Sequence, residues 1–350
     1  MTPRLRTPPA EAARHRAWRR RPPLAAGLAL AGGGCTSVQP LLEPRGPVAE
    51  AIAELGITSF VIAGLVALVV FTMLLIPVLR AWRGKEEPLR LPMQPFTFVL
   101  VAGVAVPALI LAGIYFYAMG TLSATTTPPS EPVVRVDVTG HQWWWEVRYL
   151  TPDSVFLAET ANEIHIPAGV PVQFDVRTAD VIHSFWVPQL GRKIDLIPGR
   201  VNSIWLQADE PGVLRGQCAE YCGTQHAKMA LLVIAEPRAE FEAWLARQRE
   251  PARPPLDSLA VRGRAVFLAA PCGFCHTVRG TPAQGDVAPD LTHLGSRRTL
   301  AAGVLENTQG NLEAWIVDSQ HLKPGNQMPS YNLFRGEELR ALAAYLQSLR

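Results

Sequence analysis

The sequence has little excess of either charge and few cysteines. Its 350 residues carry a formal net charge of only +3, which gives no indication of a nucleic-acid binder. The five cysteines form one single residue and two close pairs, so no further set is left for a disulfide framework. They are Cys35, Cys218, Cys222, Cys272 and Cys275. Hydrophobic residues make up 48% of the chain, which indicates membrane segments, and the length suffices for two or three domains.

Residues 1–34 have the pattern of a secretory signal. A basic start, with several arginines up to Arg21, precedes a short apolar run from Leu24 to Leu30 and then small residues. The apolar run is too short to span a bilayer. Cys35 follows the small residues, as in the cleavage site of bacterial lipoproteins, although Gly32 stands where that site usually has leucine. Two alternatives stay open for Cys35, lipidation after cleavage or an incidental cysteine after an ordinary signal.

Two uncharged apolar runs, Ile57 to Leu79 and Phe96 to Ala118, predict membrane-spanning helices. At about 1.5 Å per residue, each is long enough to cross a hydrocarbon core of about 30 Å. The connector is basic and should therefore face the cytoplasm. Its basic residues are Arg80, Arg83, Lys85 and Arg90. Residues 57–118 are thus predicted to form a transmembrane hairpin, with residues 35–56 and everything after the hairpin on the exported side.

After a linker predicted at residues 119–132, residues 133–250 have the pattern of an all-β domain. Short alternating segments such as Val133 to Val138 are separated by turns rich in proline, glycine and aspartate. That pattern is typical of a sandwich or a barrel.

A proline-rich linker at residues 251–255 precedes a mostly helical domain, residues 256–350. Asp257 is expected to cap the first helix of this domain, and Asn311 is expected to cap a second. The apolar spacing from Glu337 to Leu349 indicates a third helix.

Within this helical domain, Cys272-Gly273-Phe274-Cys275-His276 is the Cys-x-x-Cys-His pattern of covalent c-type haem attachment. Cys272 and Cys275 are predicted to form thioethers to the haem, and His276 is predicted to be the proximal iron ligand. A redox or disulfide Cys-x-x-Cys is the alternative. The adjacent histidine, the helical surroundings and the exported location argue against that alternative.

A haem that only carries electrons needs a sixth ligand, and methionine opposite histidine raises its potential. Met328 is the predicted ligand, because it is the only methionine after Met229. His293 and His321 are its rivals. The stretch from Ala288 to Leu291 resembles the loop near the proximal histidine in class I cytochromes c, and this likeness implies that Pro289 contacts the haem.

In the β domain, the loop that ends at Met229 also contains Cys218, Cys222 and His226. Thiolate, imidazole and thioether are soft or borderline ligands that select copper, zinc or iron over calcium or magnesium. A disulfide between the cysteines would leave His226 and Met229 without a role. A zinc site would rarely use methionine, so the pattern favours copper.

A second histidine from elsewhere in the chain should complete such a copper site. The segment from Asp180 to Trp186 has the pattern of a strand and supplies His183. His141 and His165 are its rivals, although an isolated histidine on a strand is more often structural.

Together these motifs resemble subunit II of haem–copper cytochrome c oxidases, fused to a cytochrome c domain. The matching features are the helix hairpin, the loop from Cys218 to Met229, and three short segments. These segments are Gly140-His141-Gln142-Trp143-Trp144-Trp145, Val181-Ile182-His183-Ser184-Phe185 and Ile197-Pro198-Gly199-Arg200. The resemblance implies a multidomain membrane protein with a transmembrane hairpin, a cupredoxin-like Greek-key barrel and an all-α cytochrome c domain.

The resemblance also implies a dinuclear copper centre, CuA. Cys218 and Cys222 would bridge two coppers, with His183 and His226 as terminal ligands and Met229 as a weak ligand. The backbone carbonyl of Glu220 would be a weak ligand of the other copper. Its carboxylate is a hard ligand, suited to a magnesium or manganese ion shared with subunit I.

Family members take up electrons through an aromatic patch near the copper, so the resemblance assigns electron uptake to Trp143 and Trp144. Core packing or a place at the membrane interface is the alternative for such an aromatic run. Where related chains often carry a glutamate for a proton path, this sequence has Leu100, so no proton-path role is predicted. Neither apolar run contains a histidine for an oxygen-reducing centre, so the chain itself is expected to hold no catalytic residue.

The function implied is electron input to a respiratory cytochrome c oxidase, an oxidoreductase and proton translocase. The implied partners are subunits I and III, and the implied donor is a cytochrome c or a quinol–cytochrome c reductase. The implied location is the bacterial cytoplasmic membrane, crossed twice, with both globular domains on the periplasmic face. A CuA-containing input subunit of a nitric oxide reductase and a membrane-anchored electron shuttle without a partner are the alternatives. A quinol-oxidase subunit is disfavoured, because those chains lack the copper ligands present here.

Overall fold

Two long apolar helical stretches open a computed structural model that describes residues 38–84 and 93–350. The first is helix α1 (Pro47–Trp82). The second consists of α2 (Pro95–Leu100), a π-helical segment (Val101–Ala105) and α3 (Val106–Thr126). Both stretches are long and apolar enough to cross a membrane, and α1 contacts α3, so the two form a hairpin. The signal segment with Cys35, and Lys85 and Arg90 of the connector, lie outside the described residues.

The helices extend beyond the apolar runs that predict them. Helix α1 begins at Pro47, inside the segment expected to precede the hairpin, because proline suits the first turn of a helix. Helix α3 continues to Thr126, inside the predicted linker. It stops there because Thr127 precedes a proline and adopts an extended conformation. The π-helical segment lies just before Pro107, whose missing N–H disturbs the ordinary helical hydrogen bonding.

The start of α1 is attached to the β domain. Arg45 N donates to Gln189 O at 2.8 Å, and Asp209 N donates to Arg45 O at 2.9 Å. Val48, in the first turn of α1, is buried. Gly46 approaches the Gln207 carbonyl so closely that a Cβ would lie 2.0 Å from its oxygen. The hairpin and the β domain are therefore joined by packing as well as by the chain.

Ten strands form two five-stranded sheets. In chain order they are β1 (Arg135–His141), β2 (Trp144–Leu150), β3 (Phe156–Ala161), β4 (Glu163–Pro167), β5 (Val172–Thr178), β6 (His183–Trp186), β7 (Ile194–Leu196), β8 (Asn202–Leu206), β9 (Gly212–Cys218) and β10 (Ala230–Glu236). One sheet has the order β3-β2-β1-β5-β8 and the other β4-β10-β9-β6-β7. The core between them includes Trp145, Tyr149, Phe174 and Phe185, all fully buried. The aromatic strand β2 buries residues on both faces, which hides it from a search for strict alternation.

The C-terminal part is helical, apart from one short ribbon. After α4 (Arg238–Arg249), which packs on the β domain, come α5 (Ser258–Ala269), β11 (Thr299–Leu300), β12 (Leu305–Glu306), α6 (Gln309–Val317), α7 (Ser319–Leu322) and α8 (Gly336–Ser348). Asp257 caps α5 as predicted, by accepting from Leu259 N and Ala260 N. The prediction that Asn311 caps the next helix is wrong. Thr308 is the cap of α6, and Asn311 is the residue whose N–H it accepts.

Helices α5 and α8 form the centre of this domain. Gly263 of α5 lies so close to α8 that a Cβ there would be 1.8 Å from Ala341 O. Phe267, Tyr345 and Leu346 fill a second core that is separate from that of the sheets. The Cys-x-x-Cys-His turn follows α5 directly.

Candidate metal centres

A loop held at both ends by a sheet contains the clustered ligands of the β domain. Cys218 is the last residue of β9, and β10 begins at Ala230. The β9–β10 ladder reaches the pair Gln217–Ala230, and Cys218 N donates to Met229 O at 2.9 Å across the base of the loop. Gly223 has φ of +115°, a conformation open to glycine, which allows the chain to turn. The sheet therefore fixes where the loop starts and ends.

The predicted ligands meet around the two cysteine sulfurs. Cys218 Sγ lies 3.7 Å from Cys222 Sγ and 3.9 Å from His183 Nδ1. Cys222 Sγ lies 3.6 Å from His226 Nδ1 and 3.8 Å from Met229 Sδ. His226 is half-buried and the other four residues are buried. Two thiols, two imidazoles and a thioether thus surround one small space.

The separation of the sulfurs argues against a disulfide. A disulfide bond is about 2.05 Å long, whereas these sulfurs are 3.7 Å apart and both cysteines are free. A metal–thiolate bond is about 2.3 Å, so both sulfurs can bind a cation lying between them. The Glu220 carbonyl oxygen, 3.2 Å from Cys218 Sγ, is a further donor. Thioether and carbonyl beside thiolates and imidazoles fit copper better than zinc.

A carboxylate orients His183. Asp180 Oδ1 accepts from His183 Nε2 at 2.8 Å, and its Oδ2 accepts from Gln142 N at 2.7 Å. Since Nε2 donates, Nδ1 is free of its proton on the side of Cys218, as metal binding requires. Burial lowers the pKa of His183, but the hydrogen bonds to Asp180 and Cys218 raise this pKa by more than burial lowers it. The net shift of the pKa is upward. Sequence reasoning misses Asp180, whose only signal is its position three residues before His183.

The pKa values of the two cysteine thiols are shifted in opposite directions. The hydrogen bond between the sulfurs lowers the pKa of the Cys218 thiol to about 3, and the same bond raises the pKa of Cys222. Both sulfurs would bind a metal as thiolates, so binding releases the thiol protons and metal affinity should fall at low pH.

Two side chains from the β1–β2 turn hold the loop from the other side. Gln142 Nε2 donates to Cys222 O at 2.7 Å, and Trp143 Nε1 donates to the same oxygen at 3.0 Å. A Cβ added to Gly223 would lie 3.0 Å from Gln142 Nε2, so the contact is close. The sequence predicts a role for Trp143 but not for Gln142.

The rival histidines have other partners. His141 Nε2 lies 3.0 Å from Glu146 Oε2, and its ring stacks on Trp144. His165 Nδ1 lies 3.0 Å from Glu236 Oε2, and its ring stacks on Trp244. Among the described residues, the cluster able to hold a metal contains His183 with the two cysteines and neither rival.

The Cys-x-x-Cys-His turn lies at the mouth of a cavity in the helical domain. His276 N donates to Cys272 O at 2.9 Å, which closes the turn. His276 Nδ1 lies 2.7 Å from Pro289 O, so it donates there and leaves Nε2 for an iron. Burial lowers the pKa of His276, which keeps the ring neutral and able to bind a metal. Cys272, Cys275, His276 and Pro289 all line the cavity.

Met328 lines the same cavity, and its backbone is firmly held. Its carbonyl accepts from Ser319 Oγ and from Gln320 Nε2, both at 2.7 Å. His293 and His321 do not line this cavity. His293 is buried with Nε2 3.1 Å from Glu250 O, and His321 is exposed. The geometry thus favours Met328 over both rivals as the second axial ligand.

The cavity is lined by apolar side chains such as Phe267, Leu312 and Leu346 beside the cysteines and the histidine, which suits a large apolar ligand such as a haem. Its wall is completed by the β domain, because Trp143 and Trp144 line it as well. Trp143 is only 8% exposed and Trp144 is half-buried. Trp143, which lines this cavity and also donates to Cys222 O, therefore lies between the two candidate centres and contacts the helical domain through Lys323.

Glu220 does not line this cavity. Its side chain is 45% exposed, and its Oε2 lies 3.7 Å from Lys193 Nζ. Lys193 also lies 3.5 Å from Asp195 Oδ1. The two carboxylates are thus near each other on an accessible face, and a magnesium or manganese site at Glu220 stays a prediction.

Two families match the chain, "Cytochrome C oxidase subunit II, periplasmic domain" over residues 134–236 and "Cytochrome c" over residues 260–350. The cytochrome c oxidase subunit 2 of Alkalihalophilus pseudofirmus is 40% identical over 327 residues, 91% of this chain and 93% of that protein. The one of Bacillus sp. (strain PS3) is 37% identical over 228 residues, 62% of each chain. A crystal structure of the periplasmic domain of subunit II of cytochrome oxidase of Bradyrhizobium japonicum is 33% identical, with 34% of this chain and 95% of that chain covered and a TM-score of 0.32.

The predicted architecture of a helix hairpin, a cupredoxin-like β domain and a helical cytochrome c region is confirmed. The likeness to the Alkalihalophilus protein extends over 93% of that protein, so it covers the hairpin and both globular parts. The chain therefore belongs to the cytochrome c oxidase subunit II family and has a cytochrome c domain at its C-terminal end.

Proposed function

We propose that this chain is the electron-input subunit of a respiratory cytochrome c oxidase. Its haem c would accept electrons, and a dinuclear CuA centre would pass them to subunit I, where oxygen is reduced to water with proton translocation. The observation that carries this proposal is the shared cavity, whose wall includes the haem-attachment residues and also Trp143 and Trp144. Trp143 is in turn hydrogen-bonded to the candidate copper ligand Cys222.

In this proposal the β domain holds the copper. Its ligands are His183, Cys218, Cys222, His226, Met229 and the Glu220 carbonyl. Copper, when bound, supplies a one-electron couple in a site that the protein has already assembled. The ladder of β9 and β10 and the hydrogen bonds to the Cys222 carbonyl limit movement of the loop. A rigid, buried ligand set needs little rearrangement when its charge changes, which suits electron transfer.

The helical domain holds the haem through Cys272, Cys275, His276 and Met328, with Pro289 as a contact. His276 is oriented by its bond to the Pro289 carbonyl. Because the haem domain is part of the same chain, its effective concentration at the copper loop is high. An external donor, a cytochrome c or a quinol–cytochrome c reductase, therefore need not dock on the buried Trp143.

The hairpin would anchor the chain in the bacterial cytoplasmic membrane, crossing it twice, with both globular domains on the periplasmic side. Its helices expose apolar side chains such as Phe60, Phe71, Leu109 and Phe116, as lipid-facing helices do. Subunit I is the proposed partner, together with subunit III. Glu220, on an accessible face, would share magnesium or manganese with subunit I.

The test is purification of the native complex in mild detergent, with metal and haem analysis and oxygen uptake. Copper and haem c in this chain, together with a haem-bearing partner that consumes oxygen, are expected. A partner that reduces nitric oxide, or a lone chain without a partner, would replace the proposal by one of its alternatives.

The copper assignment is tested by Cys222→Ser, with Thr224→Ser in the exposed part of the same loop as the matched control. The Cys222 variant should lose the copper absorption and oxygen uptake and retain haem c, whereas the control should keep all three. A Cys222 variant with normal copper and activity would contradict the assignment.

A further inference from the structure

A lysine is buried where the helical domain meets the β domain. Lys323 is 2% exposed, and its Nζ donates to Trp143 O at 2.6 Å and to Ala301 O at 3.0 Å. Lysine is almost never buried to this extent. Burial lowers the pKa of Lys323 to about 7, which expresses the cost of removing this ammonium from water. Its contact with Trp143 reaches across the interface and is lost when the two domains separate.

The neighbours of Lys323 are attached to the copper loop itself. Lys228 Nζ donates to Leu322 O at 2.6 Å, and Gln225 Nε2 donates to Pro324 O at 2.7 Å. Three consecutive residues of the helical domain, Leu322 to Pro324, are thus each hydrogen-bonded to the β domain. We call this segment the docking strip. Gln225 and Lys228 lie on either side of the candidate ligand His226 in the sequence. The docking strip is therefore hydrogen-bonded to the loop that forms the candidate copper site.

A second contact lies at β11. Glu163, at the start of β4, is 2% exposed, and its carboxylate accepts from Arg298 N and Thr299 N, both at 2.8 Å. Thr299 Oγ1 donates to the same carboxylate at 3.1 Å. Hydrogen bonds to a buried charged group are about twice as strong as neutral ones. The β domain thus contributes a buried glutamate to the interface, and the helical domain contributes a buried lysine.

Lys323 also completes a chain of hydrogen bonds between the two candidate centres. On the copper side, Trp143 Nε1 donates to Cys222 O at 3.0 Å and Trp143 O accepts from Lys323. On the haem side, Asn326 Nδ2 donates to Lys323 O at 2.7 Å, and Asn326 Oδ1 accepts from Met328 N at 2.8 Å. Removing the Lys323 ammonium would break this sequence of contacts at the domain boundary.

We propose that Lys323 is a positioning residue that docks the haem domain on the copper loop and thereby sets the rate of haem-to-copper electron transfer. Glu163 is the second attachment point of the same docked state. This proposal rests on the proposed electron-input function. It makes the haem domain a fixed part of the copper site's surroundings and not a freely moving tethered carrier.

The test uses Lys323→Met, which keeps the length of the side chain but removes its charge and donors. Arg262→Met, on an exposed face of α5, is the matched control. In the detergent-solubilised complex, a one-electron donor reduces the haem iron from ferric to ferrous. The electron then leaves the iron, which returns to ferric, and reduces the oxidised copper centre, and absorbance follows both steps.

In Lys323→Met the haem-to-copper step should slow by at least about tenfold, the effect of losing one charged hydrogen bond from the docking equilibrium. Reduction of the haem by the external donor, and the haem spectrum, should stay as in the parent. Hydrogen exchange of the Arg298 and Thr299 amides should become faster, because their acceptor, the Glu163 carboxylate, separates from them. Arg262→Met should change none of these.

An unchanged haem-to-copper rate in a folded Lys323→Met complex overturns the positioning role. Where Lys323→Met does not assemble, Glu163→Gln takes its place, since Glu163 does not line the cavity. In Glu163→Gln, an NH2 group replaces one of the two carboxylate oxygens that accept from the backbone N–H groups of Arg298 and Thr299. This variant too should therefore slow electron transfer from haem to copper and speed hydrogen exchange at residues 298–299. A normal rate in Glu163→Gln would equally overturn docking control. Failure of the proposed function looks different, because then the parent complex itself shows no electron transfer from haem to copper.

Discussion

Asp180 provides a sharp test of the copper site, because it is not itself a candidate ligand but positions His183 and the backbone of Gln142. Its Oδ1 accepts from His183 Nε2 at 2.8 Å and from Val181 N at 2.6 Å, and its Oδ2 accepts from Gln142 N at 2.7 Å. Asp180→Ala removes every one of these acceptors. His183 is fully buried, so its freed Nε2–H would lose a charged acceptor that no other side chain among the described residues replaces.

The expected loss follows from that unpaired donor. A buried donor without a partner costs about 1–3 kcal/mol, which the copper-bound state must bear because the metal keeps the ring in place. Carboxylates that support metal-binding histidines typically contribute about 10–100-fold in metal affinity, or about 1.4–2.7 kcal/mol. The two routes agree, and we expect copper binding to weaken by about 10–100-fold in Asp180→Ala. Asp180→Asn keeps one acceptor oxygen and should lose less.

The assay is competition of the purified complex with a copper chelator, followed by the copper absorption and the electron paramagnetic resonance spectrum. Asp153→Ala is the matched control, since Asp153 is an exposed aspartate of the same domain. Near-ultraviolet circular dichroism without copper should match the parent, which separates a metal effect from unfolding. Parent-like copper affinity and spectrum in a folded Asp180→Ala complex would refute the orienting role.

Three further predictions follow from other contacts. Met328→Ala should change the haem spectrum and lower its potential, because methionine opposite histidine raises the potential; an unchanged spectrum would point to another sixth ligand. Gly263→Ala should lower the free energy of unfolding of the helical domain by about 1–3 kcal/mol, because the new Cβ would lie 1.8 Å from the Ala341 carbonyl oxygen. Calorimetry measures this loss, and Gly310→Ala, which has open space around it, should be neutral in the same experiment. Burial lowers the pKa of Lys323 from 10.5 to about 7, so between these pH values unfolding takes up a proton. The free energy of unfolding of the parent, relative to that of Lys323→Met, should therefore rise with pH across that window. A difference in calorimetry that does not change with pH would contradict this.

Local spacing was sufficient for much of the candidate chemistry. The residues Cys218, Cys222, His226 and Met229 lie within one loop, and the haem motif lies within one turn, so their proximity follows from the chain itself. The apolar runs likewise indicate the hairpin, because a helix of that length and composition has few other stable environments. The ends of these helices differ from the predicted ones, since capping and proline effects act beyond the apolar stretch.

Contacts between residues that are distant in sequence could be identified only from the tertiary structure. His183 reaches Cys218 because β6 pairs with β9, whereas the strand pattern in the sequence left His141 and His165 as rivals. Asp180 and Gln142 carry no pattern of their own, and their role appears only once β6 and the β1–β2 turn lie beside the loop. The cap of α6 was misassigned for a related reason, because Thr308 and Asn311 are both good caps and only the backbone distinguishes them.

The sequence by itself predicted the two candidate redox centres, the membrane hairpin and the order of the domains, because each depends on residues close together in the chain. The tertiary structure alone decided how the two centres face each other. Lys323 meets Trp143 across 180 positions of sequence, and Glu163 meets Thr299 across 136. No local pattern encodes such contacts, since they arise only when the two cores meet and bury a lysine and a glutamate at their shared surface.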